Sequence, residues 1–266
     1  MQQARSNRLV YVVAWLSLIY LTLPMLVALP LSVSDSRVLE MPRHAISFRH
    51  WERLLSDPVW LNSIWQSFYI AVASAAIALA AGTLCAIGCW RIASRLSESM
   101  RLLMLIPIVV PSIVYAVGLY RFYAELRLLG TTSGVVAAHA VTGIPYVVIT
   151  VSAALANMDR RLEQAARSLG ANQRQIIWRV ILPNIVPGML SGGVFAFIHS
   201  WDELVIVLFI ASREVTTLPR MIWSTMNESL DPLIAVVAVL LIVASISLLL
   251  AEHLWSGRRK SLKPSG

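Results

Sequence analysis

The sequence predicts an all-α membrane protein with six transmembrane helices and both termini in the cytoplasm. Three observations carry this reading. Hydrophobic residues make up 58% of the 266 residues and charged residues only 14%, with a mean hydropathy of +0.71; a soluble domain carries about 25% charged residues. The apolar residues gather into six runs, each long enough to supply the roughly 20 residues that cross a hydrocarbon core. Lys and Arg divide unequally between the connections: fourteen fall on the side that includes both termini and eight on the other. The positive-inside rule therefore places the termini in the cytoplasm.

The six runs cover residues 9–33, 63–90, 102–120, 134–156, 185–212 and 233–255, in one transmembrane domain spanning 1–266. The first is too long for a signal-peptide core and lacks an A-x-A cleavage site, so it reads as a span. Prolines interrupt several runs, at Pro24 and Pro30, Pro107 and Pro111, Pro145, and Pro187. Membrane helices tolerate them because neighbours can satisfy the freed carbonyls. Between the first two runs, Trp51, Leu54 and Leu55 share a helical face that Asp57-Pro58 ends. This segment is either an interfacial helix, with Trp51 and Trp60 at headgroup depth, or a lid packed on the bundle. Gly188 and Gly192, four residues apart, let a helix of this chain or of a partner approach the fifth run closely.

The pI near 10.1 invites a nucleic-acid reading, but the basic residues sit in the gaps between apolar runs and form no stripe. No nucleic-acid partner is expected. Cys85 and Cys89 are the only cysteines. Two thiols do not complete a metal site, and they read as small hydrophobes.

The inner connection 157–184 carries the specific signal. Asp159 can cap a helix in which Leu162, Ala165, Ala166 and Leu169 share one face, with Glu163 and Arg167 paired four residues apart. Gly170 supplies a left-handed end. A second helix restarts near Asn172 with Ile176, Ile177, Val180 and Ile181 on one side, and Leu182-Pro183 leads into the fifth run. Two short amphipathic helices with a glycine elbow form either a shape that a partner's groove can grip or an ordinary loop packed on the bundle, and periodicity alone favours neither.

Gln164-Ala165-Ala166, Gly170, Val180 and Leu182-Pro183 fall at the spacings of the EAA loop of ABC-importer permeases, and this loop resembles it. Two positions depart from the pattern. Gln164 stands where the pattern has Glu, with Glu163 just before it, and Val180 replaces Ile. The likeness extends through Asn62-Ser63, Pro107 and Pro111, Pro145-Tyr146, Ser200-Trp201-Asp202-Glu203, Thr217-Leu218-Pro219 and Asp231-Pro232. Together these resemble the spermidine/putrescine-type permeases, in particular the second (C-type) of the two subunits. The resemblance implies a type I importer fold in a bacterial inner membrane. It also implies a second permease subunit, a cytoplasmic ATPase dimer and a periplasmic binding protein as partners. It makes residues 157–184 the loop that couples to the ATPase, working by alternating access.

No catalytic residue, metal or cofactor is expected in this chain. No G-x-x-x-x-G-K-[ST] loop is present to cradle a triphosphate, consistent with what the resemblance implies, that ATP and Mg are held by the partner ATPase. An ion-coupled secondary transporter would show internal repeats, and none is evident. An intramembrane enzyme would have to use His139, His199, Ser200, Asp202 and Glu203, which no motif organises. Ser200, Asp202 and Glu203 instead read as translocation-path candidates, because ionised groups inside a span are costly unless they face water or a partner. Asp202 is expected to face the path and Glu203 to make a packing contact with Ser, Thr or Arg; the alternative is that both are buried and hydrogen-bonded for stability. A polyamine cargo follows from the resemblance alone. Opines, organophosphonates and metal chelates are the alternatives.

Overall fold

The computed structural model describes residues 2–42, 45–212 and 214–261, with side chains for 10–42, 45–212 and 214–247. Arg43, Arg213 and Lys263, which enter the charge count above, lie outside the described residues, as do the side chains of Arg5, Arg8, Arg258, Arg259 and Lys260. The helices are α1 (Gln2–Ser32), α2 (Arg49–Ser56), α3 (Pro58–Ile92), α4 (Arg95–Val109), α5 (Ser112–Glu125), α6 (Thr132–Ala156), α7 (Arg160–Ser168), α8 (Gln173–Ile176), α9 (Leu182–Asp202), α10 (Val205–Ile210), α11 (Leu218–Glu228) and α12 (Leu233–Ser261). A π turn, Ile177–Ile181, joins α8 to α9. Among the described residues there is no strand, only one isolated bridge between Ser34 and Ile46.

Among the described residues, four single helices are long and apolar enough to cross a membrane: Val10–Ser32, Pro58–Ile92, Thr132–Ala156 and Gln173–Asp202. The third expected span is not one rod. It is α4 and α5, bent by 104°. Proline explains the bend: the residue before Pro111, Val110, is pushed to an extended ψ of 124°, as the pyrrolidine ring requires. In α12, the apolar part with described side chains is Leu233–Ser247.

The fifth expected span differs at both ends. It does not begin at residue 185, because α8, the π turn and α9 form one continuous helix from Gln173 to Asp202. Pro183 has no N–H to give the Arg179 carbonyl, and the wider π turn absorbs that deficit. The Asn184 side-chain amide donates to the Val180 carbonyl at 2.7 Å. Nor does the span run through to residue 212. It breaks at Glu203, whose ψ of 112° is extended, before α10 restarts.

The chain divides into two compact units, 1–61 with 222–266, and 62–221. In the first, α12 packs against α1 and α2. His50 and Leu54 of α2 are buried whereas Leu55 is exposed, so α2 is a packed lid on one face. Trp60 is 2% exposed, so its ring packs inside the protein. Asp57 caps α3 by accepting from the Val59 N–H at 2.9 Å. Asp231 does the same for α12 through Leu233 at 3.0 Å and pairs with Arg53 at 2.9 Å.

The second unit is built on α6 and α9. A Cβ at Gly188 would lie 2.7 Å from Ala154 Cβ, and one at Gly192 would lie 2.9 Å from Val147 Cα. The helix that those glycines admit is therefore α6 of the same chain. Ala78, Ala86 and Ile87 of α3 join Val147, Val151 and Leu155 of α6 and Ile181, Ile185 and Ala196 around α9 in one core cluster. A second cluster joins Ala116 and Tyr123 of α5 to Val135 and Ala138 of α6 and to Ile206, Val207 and Ile210 of α10.

Candidate coupling loop and translocation cavity

The loop after α6 is built as its residues dictate. Asp159 accepts from the Arg161 N–H at 2.8 Å and starts α7. Gly170 adopts a φ of +81° with open space around it, so backbone conformation alone demands glycine there. Asn172 and Gln175 form a reciprocal capping box that starts α8. Glu163 meets Arg167 at 2.7 Å. Its second partner was not foreseen: Arg91, in the last turn of α3, at 3.1 Å. The Arg167 guanidinium, hydrogen-bonded to Glu163, holds its carboxyl below the usual range; partial burial opposes this and Arg91 reinforces it.

The two halves of the loop differ in what they bury. No residue of α7 is buried: Ala165 lies exposed, Ala166 half-buried and Leu169 88% exposed. Ile176 and Ile181 are buried, Val180 and Leu182 half-buried, and Pro183 exposed at the start of α9. Gln164 is exposed and lines a cavity of about 360 Å³ with Trp90, Arg91, Arg160, Glu163 and Arg167.

At the other end of α9, Asp202 and Glu203 reach one cavity of about 240 Å³, together with Tyr146, Phe195, Ile198 and His199. The rings of Tyr146 and His199 lie 5.1 Å apart. Asp202 is exposed. Glu203 is 8% exposed; its Oε1 accepts from the Ile206 N–H at 3.1 Å and its Oε2 accepts from the Ser112 hydroxyl at 3.3 Å. That carboxylate thus caps α10 and touches the first residue of α5, and it sits where the third and fifth spans are both broken.

Ser200 does not join them. It is buried, 2.8 Å from His139 Nδ1 and 2.9 Å from the Ser74 hydroxyl, and so links α3, α6 and α9. The proton count is informative. Ser74 donates to the Ile70 carbonyl, so Ser200 must donate to Ser74, and His139 Nδ1–H must donate to Ser200. In this arrangement the imidazole gives a proton to the hydroxyl rather than taking one, which is the reverse of an activated serine nucleophile. Among the described residues no cluster of His, Cys, Asp and Glu could hold a metal ion, and the Cys85 and Cys89 thiols are free and 3.9 Å apart.

Residues 78–260 match the family of the binding-protein-dependent transport system inner membrane component. The chain belongs to that family. The permease is 27% identical over 235 residues to the spermidine/putrescine transport system permease protein PotC of Haemophilus influenzae, covering 88% of this chain and 91% of PotC. It is 31% identical over 246 residues to the molybdenum transport system permease protein ModB of Mycobacterium bovis, covering 85% and 93%. Its fold matches a solved bacterial ABC transporter that imports the acidic polysaccharide alginate, with a TM-score of 0.67 at 17% identity over 97% of this chain and 98% of that one. The permease is thus an inner-membrane subunit of an ABC importer with the type I fold.

Proposed function

We propose that this permease carries polyamine-like cations inward, with six spans and both termini in the cytoplasm. It pairs with a second permease subunit, receives cargo from a periplasmic binding protein and is driven by a cytoplasmic ATPase dimer that holds the ATP and Mg. The observation that carries the cargo assignment is Asp202. Its carboxylate is exposed at a cavity walled by Tyr146, Phe195 and His199, at the break that ends α9. An ammonium group is favoured by a carboxylate and by aromatic faces together. Glu203 is engaged by Ser112 and the Ile206 amide, so Asp202 is the charge left to meet cargo.

Coupling follows from continuity. The exposed face of α7, with Leu162, Ala165 and Leu169, meets the ATPase. When the ATPase dimer closes, the rigid helix from Gln173 to Asp202, about 45 Å long, carries that displacement to the Glu203 break.

The 31% identity to the molybdenum permease favours a second reading, a molybdenum-containing cargo in place of a polyamine. Putrescine uptake by the wild type and by Asp202→Asn separates the two. In the reconstituted importer, the cation reading expects uptake of putrescine to fall about tenfold while assembly and basal ATP turnover persist. Undiminished uptake overturns the role of Asp202, and a wild-type importer that takes up no putrescine overturns the cation reading. A thermal-shift screen of the cognate binding protein against polyamines and oxyanions identifies the cargo independently.

A further inference from the structure

We infer that Arg91 is a positioning residue for transport: it ties the end of α3 to both coupling helices, and so gives the ATPase stroke a second route into the membrane. This rests on the coupling role proposed for residues 157–184. The geometry is specific. One guanidinium nitrogen, Nη2, donates to Glu163 Oε1 of α7 at 3.1 Å and also to Gln173 Oε1 of α8. The neighbouring residue adds a third tie, since Arg160 of α7 stacks over the Trp90 ring at 5.3 Å. Two consecutive residues at the end of α3 therefore hold α7 twice and α8 once, on either side of the Gly170 elbow.

Burial makes the Arg91–Glu163 contact firmer than a surface ion pair. The Arg91 and Glu163 side chains are 21% and 14% exposed, whereas ordinary exposed pairs contribute little. Charge-assisted hydrogen bonds also fix geometry. The consequence is mechanical. The loop already enters the membrane through α8 and α9; Arg91 connects it to α3, which packs on α6 through Gly82 against Val147 and Gly143 against Ala78. Displacement of the loop then moves α3 and α9 together around α6 instead of dragging α9 alone. The departure from the family pattern fits this. The carboxylate at Glu163, one residue before Gln164, is turned inward to Arg91, and the exposed Gln164 is left uncharged.

The test uses the whole importer in proteoliposomes: permease, partner permease, ATPase and binding protein. The readout is ATP hydrolysed per putrescine imported. Arg91→Gln and Glu163→Gln are each expected to raise that ratio at least about tenfold, the worth of the one charged hydrogen bond they share, with ATPase co-purification unchanged. Tenfold is the lower bound, since Arg91→Gln also loses Gln173 and Glu163→Gln also weakens the pairing with Arg167. The double variant is expected to fall well short of the product of the two single effects, because they share the Arg91–Glu163 bond, and Arg91→Lys is expected to recover most of the coupling. A wild-type ratio in Arg91→Gln overturns the inference, as does a double variant whose effects multiply. Loss of the ATPase from Arg91→Gln also overturns it, by making Arg91 a structural prop. A wild-type complex without binding-protein-stimulated turnover would overturn the coupling reading itself, and this inference with it.

Discussion

The two halves of the coupling loop have similar apolar spacing and opposite fates. In α7, Leu162 is 45% and Leu169 88% exposed and nothing is buried. Within the next dozen residues, Ile176 and Ile181 are at most 1% exposed, and Ile185 follows at 0%. One apolar face is buried inside the permease; the other packs only Ala166 against the core and leaves Leu162, Ala165 and Leu169 exposed. An unpartnered face on a structured helix is what a docking element presents, and a buried face continuous with a span is what a transmitting element needs. The same periodicity therefore meets two different environments, separated by one glycine in the left-handed region.

The largest effect that would sharpen this contrast is at Ile181. Ile181→Asp places a carboxylate in the core among α3, α6 and α9, without a partner there. It is expected to cost more than about 4 kcal/mol and to abolish folded subunit in the membrane, read as loss of the monodisperse peak in detergent. A folded Ile181→Asp subunit would mean that α8 and α9 do not anchor the loop.

Gly170→Val comes next. Open space surrounds this glycine, so the only penalty is backbone, about 1–2 kcal/mol for a residue held at positive φ. The subunit is expected to remain in the membrane with α7 misdirected, and binding-protein-stimulated ATP turnover to be lost. Wild-type turnover would show that the elbow does not aim α7.

The smallest effect is with pH. The Glu163 carboxyl is depressed in the folded protein, so its pairing contributes fully above the ordinary carboxylate range and is lost as pH falls through the lowered value. Hydrogen exchange of α7 amides, corrected for intrinsic rates, is expected to be flat from about pH 8 to 5 and to rise below that. A rise between pH 8 and 6 would point to a different group.

Much of this was legible in the residues. Asp159, Gly170 and Asn172 each mark a boundary with a local backbone requirement, and all three act where that requirement places them. Gly188 and Gly192 announced a close helix, although only the fold could say that it is α6. The bend between α4 and α5 had its signal in Pro111, but apolar run length hid it. The break at Glu203 had no such signal: Ser-Trp-Asp-Glu-Leu contains neither Gly nor Pro, and the carboxylate earns its place by long-range partners, Ser112 among them. Ser200 read as a path residue because it shares a motif with Asp202; two residues along a helix are about 200° apart, and it faces His139 and Ser74 instead. Arg91 was counted only as one more cytoplasmic charge, since nothing local marks a residue whose partners lie 72 and 82 positions away.

The central claim is that α7 presents its apolar face to the ATPase while the rest of the loop belongs to the permease. Leu169→Asp tests it most directly, because Leu169 is 88% exposed. The measurement is retention of the ATPase on affinity-purified permease, with thermal unfolding of the permease recorded in the same sample. The expected result is unchanged unfolding, within about 0.5 kcal/mol, and an ATPase reduced to background. Full retention of the ATPase on Leu169→Asp would contradict the account.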